Sequence, residues 1–115
     1  MSITRIGTTP RWSDAVIHNN IVYCVDVAST PEADITTQSH EVLNQIEATL
    51  TQAGSAKTQL LSVTIYLSDI RYIEQFNAVW DAWVPKGTAP SRACVQATMA
   101  NPGYKVELAV VAAII

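Results

Sequence analysis

Charge is scarce in this chain. Only 15% of its 115 residues are Asp, Glu, Lys or Arg, against about 25% in typical globular domains, so much of its surface is expected to be covered by something other than water. The seven Lys and Arg are scattered and the formal net charge is −3, which supplies no basic stripe to track a phosphate backbone and argues against nucleic acid as a main partner. Cysteine is nearly missing. Cys24 and Cys94 stand apart, with no CxxC or Cys/His ligand spacing, which fits a reducing compartment rather than a disulfide framework. His18 and His40 have no neighbouring ligand types, so no metal site is expected. The four glycines show neither GxGxxG nor phosphate-loop spacing, leaving a nucleotide-binding fold without support. The longest charge-free apolar run, Leu108 to Ile115, falls far short of the ~20 residues of a membrane-spanning helix. The opening residues lack the charged and apolar regions of a secretory signal. A soluble, cytoplasmic protein is expected.

What the chain does contain is apolar residues, 49% of the total, in patterns that change period along its length. Residues 1–115 are the size of one domain with one core. Ile3 to Gly7 and Trp12 to His18 read as strands, and Asn19-Asn20 tolerates the positive φ of a tight hairpin into Ile21 to Val27. Thr30 is expected to cap a helix with Pro31 in its first position. From Ala33 to Ala53, Ile35, Val42, Leu43, Ile46, Leu50 and Ala53 fall on one stripe, Gln, Glu, Asn and Thr on the other, and Gly54 ends the helix. Leu60 to Ser68 alternates as a strand. Asp69 is placed to cap a second helix with Ile73, Phe76, Trp80 and Trp83 on its buried face. Ser91 to Met99 and Val106 to the C-terminus read as two final strands.

The expected fold is α+β: a two-layer domain with a mixed sheet of five or six strands and two helices on one face. The last strand is apolar on both sides of its pleat, as strands buried on both faces are. Two helices cover only one face, so copies of the same chain are the economical cover for the other.

Two charges in these last strands stand out. Arg92 opens a row with Cys94, Gln96 and Thr98, and Glu107 is the only acid in an apolar run, where a buried charge needs a partner. A guanidinium fork suits a planar carboxylate, so Arg92 either grips a small anion or makes an ordinary ion pair with Glu107 or with another subunit. Glu107 either positions a water and moves a proton or neutralises a buried cation. No Lys, His or second Arg adjoins Cys94 in sequence to activate its thiol, and no Ser-His-Asp arrangement is legible.

The words Val42-Leu-Asn-Gln-Ile-Glu-Ala-Thr-Leu-Thr-Gln-Ala-Gly54, Val63-Thr-Ile-Tyr-Leu-Ser-Asp69, Phe76-Asn-Ala-Val-Trp80, Ala89-Pro-Ser-Arg-Ala-Cys-Val95 and Val106-Glu-Leu108 resemble, in order, the reactive intermediate deaminase family (Rid, formerly YjgF). Arg11-Trp-Ser-Asp-Ala-Val-Ile-His-Asn-Asn20, Trp80-Asp-Ala-Trp-Val84 and Asn101-Pro-Gly-Tyr-Lys-Val-Glu107 are similar to its YoaB-like branch. The resemblance implies a chorismate-mutase-like fold, a homotrimer with clefts between subunits, and hydrolysis of enamines and imines such as 2-aminoacrylate to 2-keto acids and ammonia, with no cofactor. By the same resemblance Arg92 grips the substrate carboxylate and Glu107 orders the attacking water. Cys94 offers its main chain to the cleft, and Asn77 lies near it. Two departures bear on the substrate. Trp12 stands where the family usually has an aromatic hydroxyl, and Val25-Asp26-Val27 replaces a Ser-Gly-Gln loop, so that Asp26, if it faced the cleft, would repel a carboxylate. A trimer that binds small carboxylates without turnover, in a regulatory or holdase role, is the alternative.

Overall fold

The computed structural model describes residues 2–115. Six strands form one sheet: β1 (Thr4–Ile6), β2 (Ala15–His18), β3 (Ile21–Val27), β4 (Leu60–Leu67), β5 (Ser91–Gln96) and β6 (Val106–Ala113). Helix α1 (Ile35–Ala53) joins β3 to β4, and α2 (Ile73–Trp83) joins β4 to β5. The strand order is β1-β2-β3-β6-β4-β5. The last strand in sequence therefore lies inside the sheet, antiparallel to both β3 and β4, while the α2 crossover leaves β5 parallel to β4. This is the α+β fold expected, with two helices on a mixed six-stranded sheet.

Local chemistry sets several boundaries. Asn19 and Asn20 adopt φ of 53° and 63°, the left-handed pair that a two-residue hairpin requires. Gly54 ends α1 in the left-handed region, its N–H reaching the Leu50 and Thr51 carbonyls. The start of α1 is later than the sequence suggests. Asp34 is the cap, accepting from the Thr37 N–H at 2.8 Å, and the helix begins at Ile35. Thr30 is diverted because its hydroxyl and N–H both donate to Glu41, at 2.7 and 3.1 Å. Asp69 caps the 3₁₀ turn Ile70–Tyr72 that precedes α2, not α2 itself. Strand β5 ends at Gln96, short of the expected Met99, where the Ala97 N–H makes a last bond to the Leu67 carbonyl.

The core lies between the helices and one sheet face. Val22, Val63, Ile65, Leu67, Leu108 and Val110 point into it and meet Leu43, Ile46, Leu50, Phe76 and Trp80. One polar residue belongs to this layer against its expected place on the wet side of α1. Gln38 is fully buried, its two amide N–H groups shared among the carbonyls of Pro31, Ala33 and Gly103, each at 3.1 Å, and its oxygen accepting from the Lys105 N–H at 2.9 Å. The loops it joins approach so closely that a Cβ on Gly103 would stand 2.8 Å from Pro31 Cβ.

The second sheet face carries no helix. Large apolar side chains stand exposed there, among them Tyr23, Val25 and Val95. Their register with Val111, Ala109 and Tyr66 places them on one side of the pleat.

Candidate functional site

Arg92 and Glu107 occupy opposite faces of the same sheet. Arg92 pairs in register with Val63, whose side chain is in the core, so Arg92 points to the helix side, where β5 is an edge strand and leaves it exposed. Glu107 pairs with Tyr66 and Val27 and alternates with buried Val106 and Leu108, so it points to the helix-free side. No ion pair among the described residues includes either of them. An ion pair between Arg92 and Glu107 of one chain, open as a reading of the sequence, is excluded by this pleat.

The Arg92 side of the sheet brings three of the expected residues together. The Arg92 Nη1 donates to Asn77 Oδ1 at 2.9 Å, and its Cζ lies 5.4 Å from the Trp80 ring centroid. Asn77 and Trp80 sit three residues apart on α2 and so share its β5-facing side. Cys94 follows on the same face of β5 and is half-buried. Burial raises its thiol pKa, and the nearby Arg92 charge offsets only part of that. A protonated thiol is a poor nucleophile.

The Glu107 side forms a shallow cavity of about 310 Å³. Val25 and Tyr66 line it with Glu107, and the segment Ala97-Thr98-Met99 after β5 closes one side. Val25, half exposed, thus lies beside Glu107 in this cavity. Sequence reasoning did not single out Tyr66, although its registration opposite Glu107 follows once β4 and β6 are known to be neighbours.

Two expected residues lie elsewhere in the chain. Asp26 turns to the helix layer, where its carboxylate accepts from Gln45 Nε2 at 3.0 Å and from the Val27 N–H at 2.8 Å. It pairs with Leu108, a core residue, and so faces away from Glu107. Trp12 is 60% exposed in the β1–β2 loop, its indole N–H donating to Asp14. Strand β5 lies four strand positions from β2, roughly 19 Å at the usual strand spacing. Within one chain Trp12 and Arg92 do not meet.

The other cysteine is sealed in the core. Burial, and next the Asp26 charge, push the Cys24 thiol up to about 12.

This fold and these residues define a known class. The Endoribonuclease L-PSP family model matches residues 2–114, and the chain belongs to that family, the YjgF/Rid proteins. It is 46% identical over 114 residues to the RutC family protein YoaB of Escherichia coli, covering 99% of this chain and 100% of that protein. It is 39% identical to a RutC family protein of Haemophilus influenzae, covering 97% and 98%. The crystal structure of a YjgF family member from Neisseria meningitidis superposes with a TM-score of 0.96 at 40% identity, covering 100% of this chain and 97% of that one.

Proposed function

We propose that the chain is a homotrimeric enamine/imine deaminase that hydrolyses 2-aminoacrylate-type intermediates to 2-keto acids and ammonia. One observation carries the reading: an unpaired Arg92 and an unpaired Glu107 face away from each other across a sheet whose helix-free side is apolar. A cleft holding both groups then needs Arg92 of one subunit and Glu107 of the next. Covering the exposed Tyr23, Val25 and Val95 is the favourable step that assembles it.

In that cleft the Arg92 fork takes the substrate carboxylate with two parallel N–H donors. The enamine tautomerises to the imine, placing an electrophilic carbon beside a water held by Glu107. As the water oxygen bonds to that carbon, Glu107 accepts its proton and passes it to the nitrogen, which takes the C=N electron pair. The C–N bond then breaks as the new hydroxyl's proton moves through Glu107 to the departing nitrogen, releasing ammonia and leaving the 2-keto acid. Orientation supplies most of the benefit, because clamp and water turn an encounter of two molecules into one positioned step. The cytoplasm, where pyridoxal-phosphate enzymes release such enamines, is the matching compartment.

The test is keto-acid release from 2-aminoacrylate generated in place by a dehydratase. Wild type is expected to accelerate release, with Arg92→Ala and Glu107→Gln each reducing it toward the uncatalysed rate. Equal release with and without wild-type protein overturns the reading. Pyruvate binding that is lost in Arg92→Ala, without any turnover by wild type, supports a carboxylate-binding trimer instead. The ribonuclease activity in the family's description is opposed by the −3 net charge and by the scatter of the seven Lys and Arg along the chain.

A further inference from the structure

We infer that Asn77 and Trp80 are positioning residues that hold the Arg92 guanidinium, still charged and with most of its donors free, for a small planar carboxylate. The inference rests on the reading of Arg92 as the carboxylate grip. An arginine on an exposed edge strand samples many rotamers, and a ligand that fixes it loses affinity to that ordering. Here two contacts of different kind already fix it. The Asn77 amide oxygen holds Nη1 at 2.9 Å, and the Trp80 ring lies 5.4 Å from Cζ, within the ~6 Å reach of a cation–π contact. The hydrogen bond sets where one end of the fork sits, and the ring sets how the plane lies.

The platform beneath is rigid. Trp80 is only 5% exposed and packs between Phe76 and Trp83, with ring centroids 6.0 and 5.8 Å away. Both supports are also neutral. Arg71 supplies the contrast within the same chain: it gives Nε and Nη2 to the Asp69 carboxylate at 2.6 to 3.1 Å, so its fork and its charge are already engaged. Arg92 commits one N–H of five to an uncharged amide and has no acid partner among the described residues. Asparagine at 77 supports the fork; aspartate there would occupy it.

The test uses the full chain, with sodium pyruvate as the binding probe and 2-aminoacrylate as the turnover substrate. Asn77→Ala is expected to weaken pyruvate binding roughly tenfold, the scale of one charge-assisted hydrogen bond, and Trp80→Phe roughly threefold. Both effects should appear in KM with kcat nearly unchanged, because the carboxylate is held alike in substrate and transition state. Asn77→Asp should bind pyruvate as poorly as Arg92→Ala while melting no lower than Asn77→Ala. In an Arg92→Ala background, Asn77→Ala should add no further loss. If Arg92→Ala binds pyruvate like wild type, the reading of the grip itself falls. If Arg92→Ala loses binding but Asn77→Asp stays within about twofold of wild type, a difference too small for a lost charge-assisted bond, the positioning role is overturned and the grip stands.

Discussion

Arg92 and Glu107 are separated by the sheet that carries both: the first registers with core-facing Val63, the second with Tyr66 on the helix-free side. One chain therefore does not bring the two groups together, and the proposed cleft takes them from different copies.

Mixed assemblies test this directly. In the proposed cyclic trimer every cleft would take Arg92 from one neighbour and Glu107 from the other, so any ring mixing Arg92→Ala and Glu107→Gln subunits would contain one intact cleft. Equal amounts of the two inactive variants, unfolded and reassembled together, are expected to regain about a quarter of wild-type activity. Reassembly that yields no activity places both groups in the same subunit's cleft and refutes the shared site.

Cys24 sets an alkaline limit to stability. Its thiol is held up at about 12 in the fold, whereas an unfolded chain ionises near the ordinary thiol value of about 8.5. Below that value both states are protonated and the group adds no pH dependence. Above it the unfolded chain gives up a proton that the fold retains, so stability falls with rising pH by up to about 1.4 kcal/mol per unit. Chemical unfolding from pH 8 to 11 should show that slope, and Cys24→Ala should remove it; an unchanged slope in the variant assigns the effect to other groups.

Acid acts on the opposite end of the range. The Thr37 N–H lowers the Asp34 carboxyl below its usual range, and the Thr30 hydroxyl does the same for Glu41. A depressed carboxylate stabilises the fold above the unfolded value, and that contribution is lost as pH falls through the lower folded value. Melting temperature should therefore drop on acidification from roughly pH 5 to 3. Asp34→Asn with Glu41→Gln, which keeps acceptors but removes their titration, should drop less steeply than wild type; an equal drop counts against these two groups.

Gln38 is the polar residue the core tolerates because all its bonds are made. Replacing it with Leu leaves the Pro31 and Gly103 carbonyls and the Lys105 N–H short of a partner, while the Ala33 carbonyl keeps its bond from Lys105 Nζ. A loss of about 2–4 kcal/mol is expected in urea unfolding. A loss below ~0.5 kcal/mol, the range of ordinary surface changes, shows that water replaces the amide.

The elements were legible where one period dominated a long segment. The α1 stripe, the α2 stripe and the alternation of β4 all stand out in sequence, and Asn19-Asn20 and Gly54 marked their turns because few other residues take positive φ readily. Thr30 misled because its local capping chemistry was outcompeted by Glu41, eleven residues away. The direction of Asp26 stayed open in sequence because strand parity, set by its pairing with Leu108, decides its face. Gln38 was invisible because its partners lie up to 67 residues distant. For the candidate site, Arg92 and Glu107 stood out as lone charges, and the words around Asn77 pointed to it. Their separation by the sheet became visible only with the strand order, since it depends on which strands flank β4.

The insertion of β6 between β3 and β4 has a kinetic consequence. The strand that completes the sheet is the last in sequence, so β3 and β4 have no ladder between them until the C-terminal residues arrive. Two of the Gln38 bonds close only then, over separations of 65 and 67 residues, and such long-range closures come late. Truncating the Gln38 side chain should therefore quicken unfolding and leave the refolding limb of a chevron nearly unmoved. A chain that emerges from synthesis N-terminus first thus keeps an open seam between β3 and β4 until β6 is released.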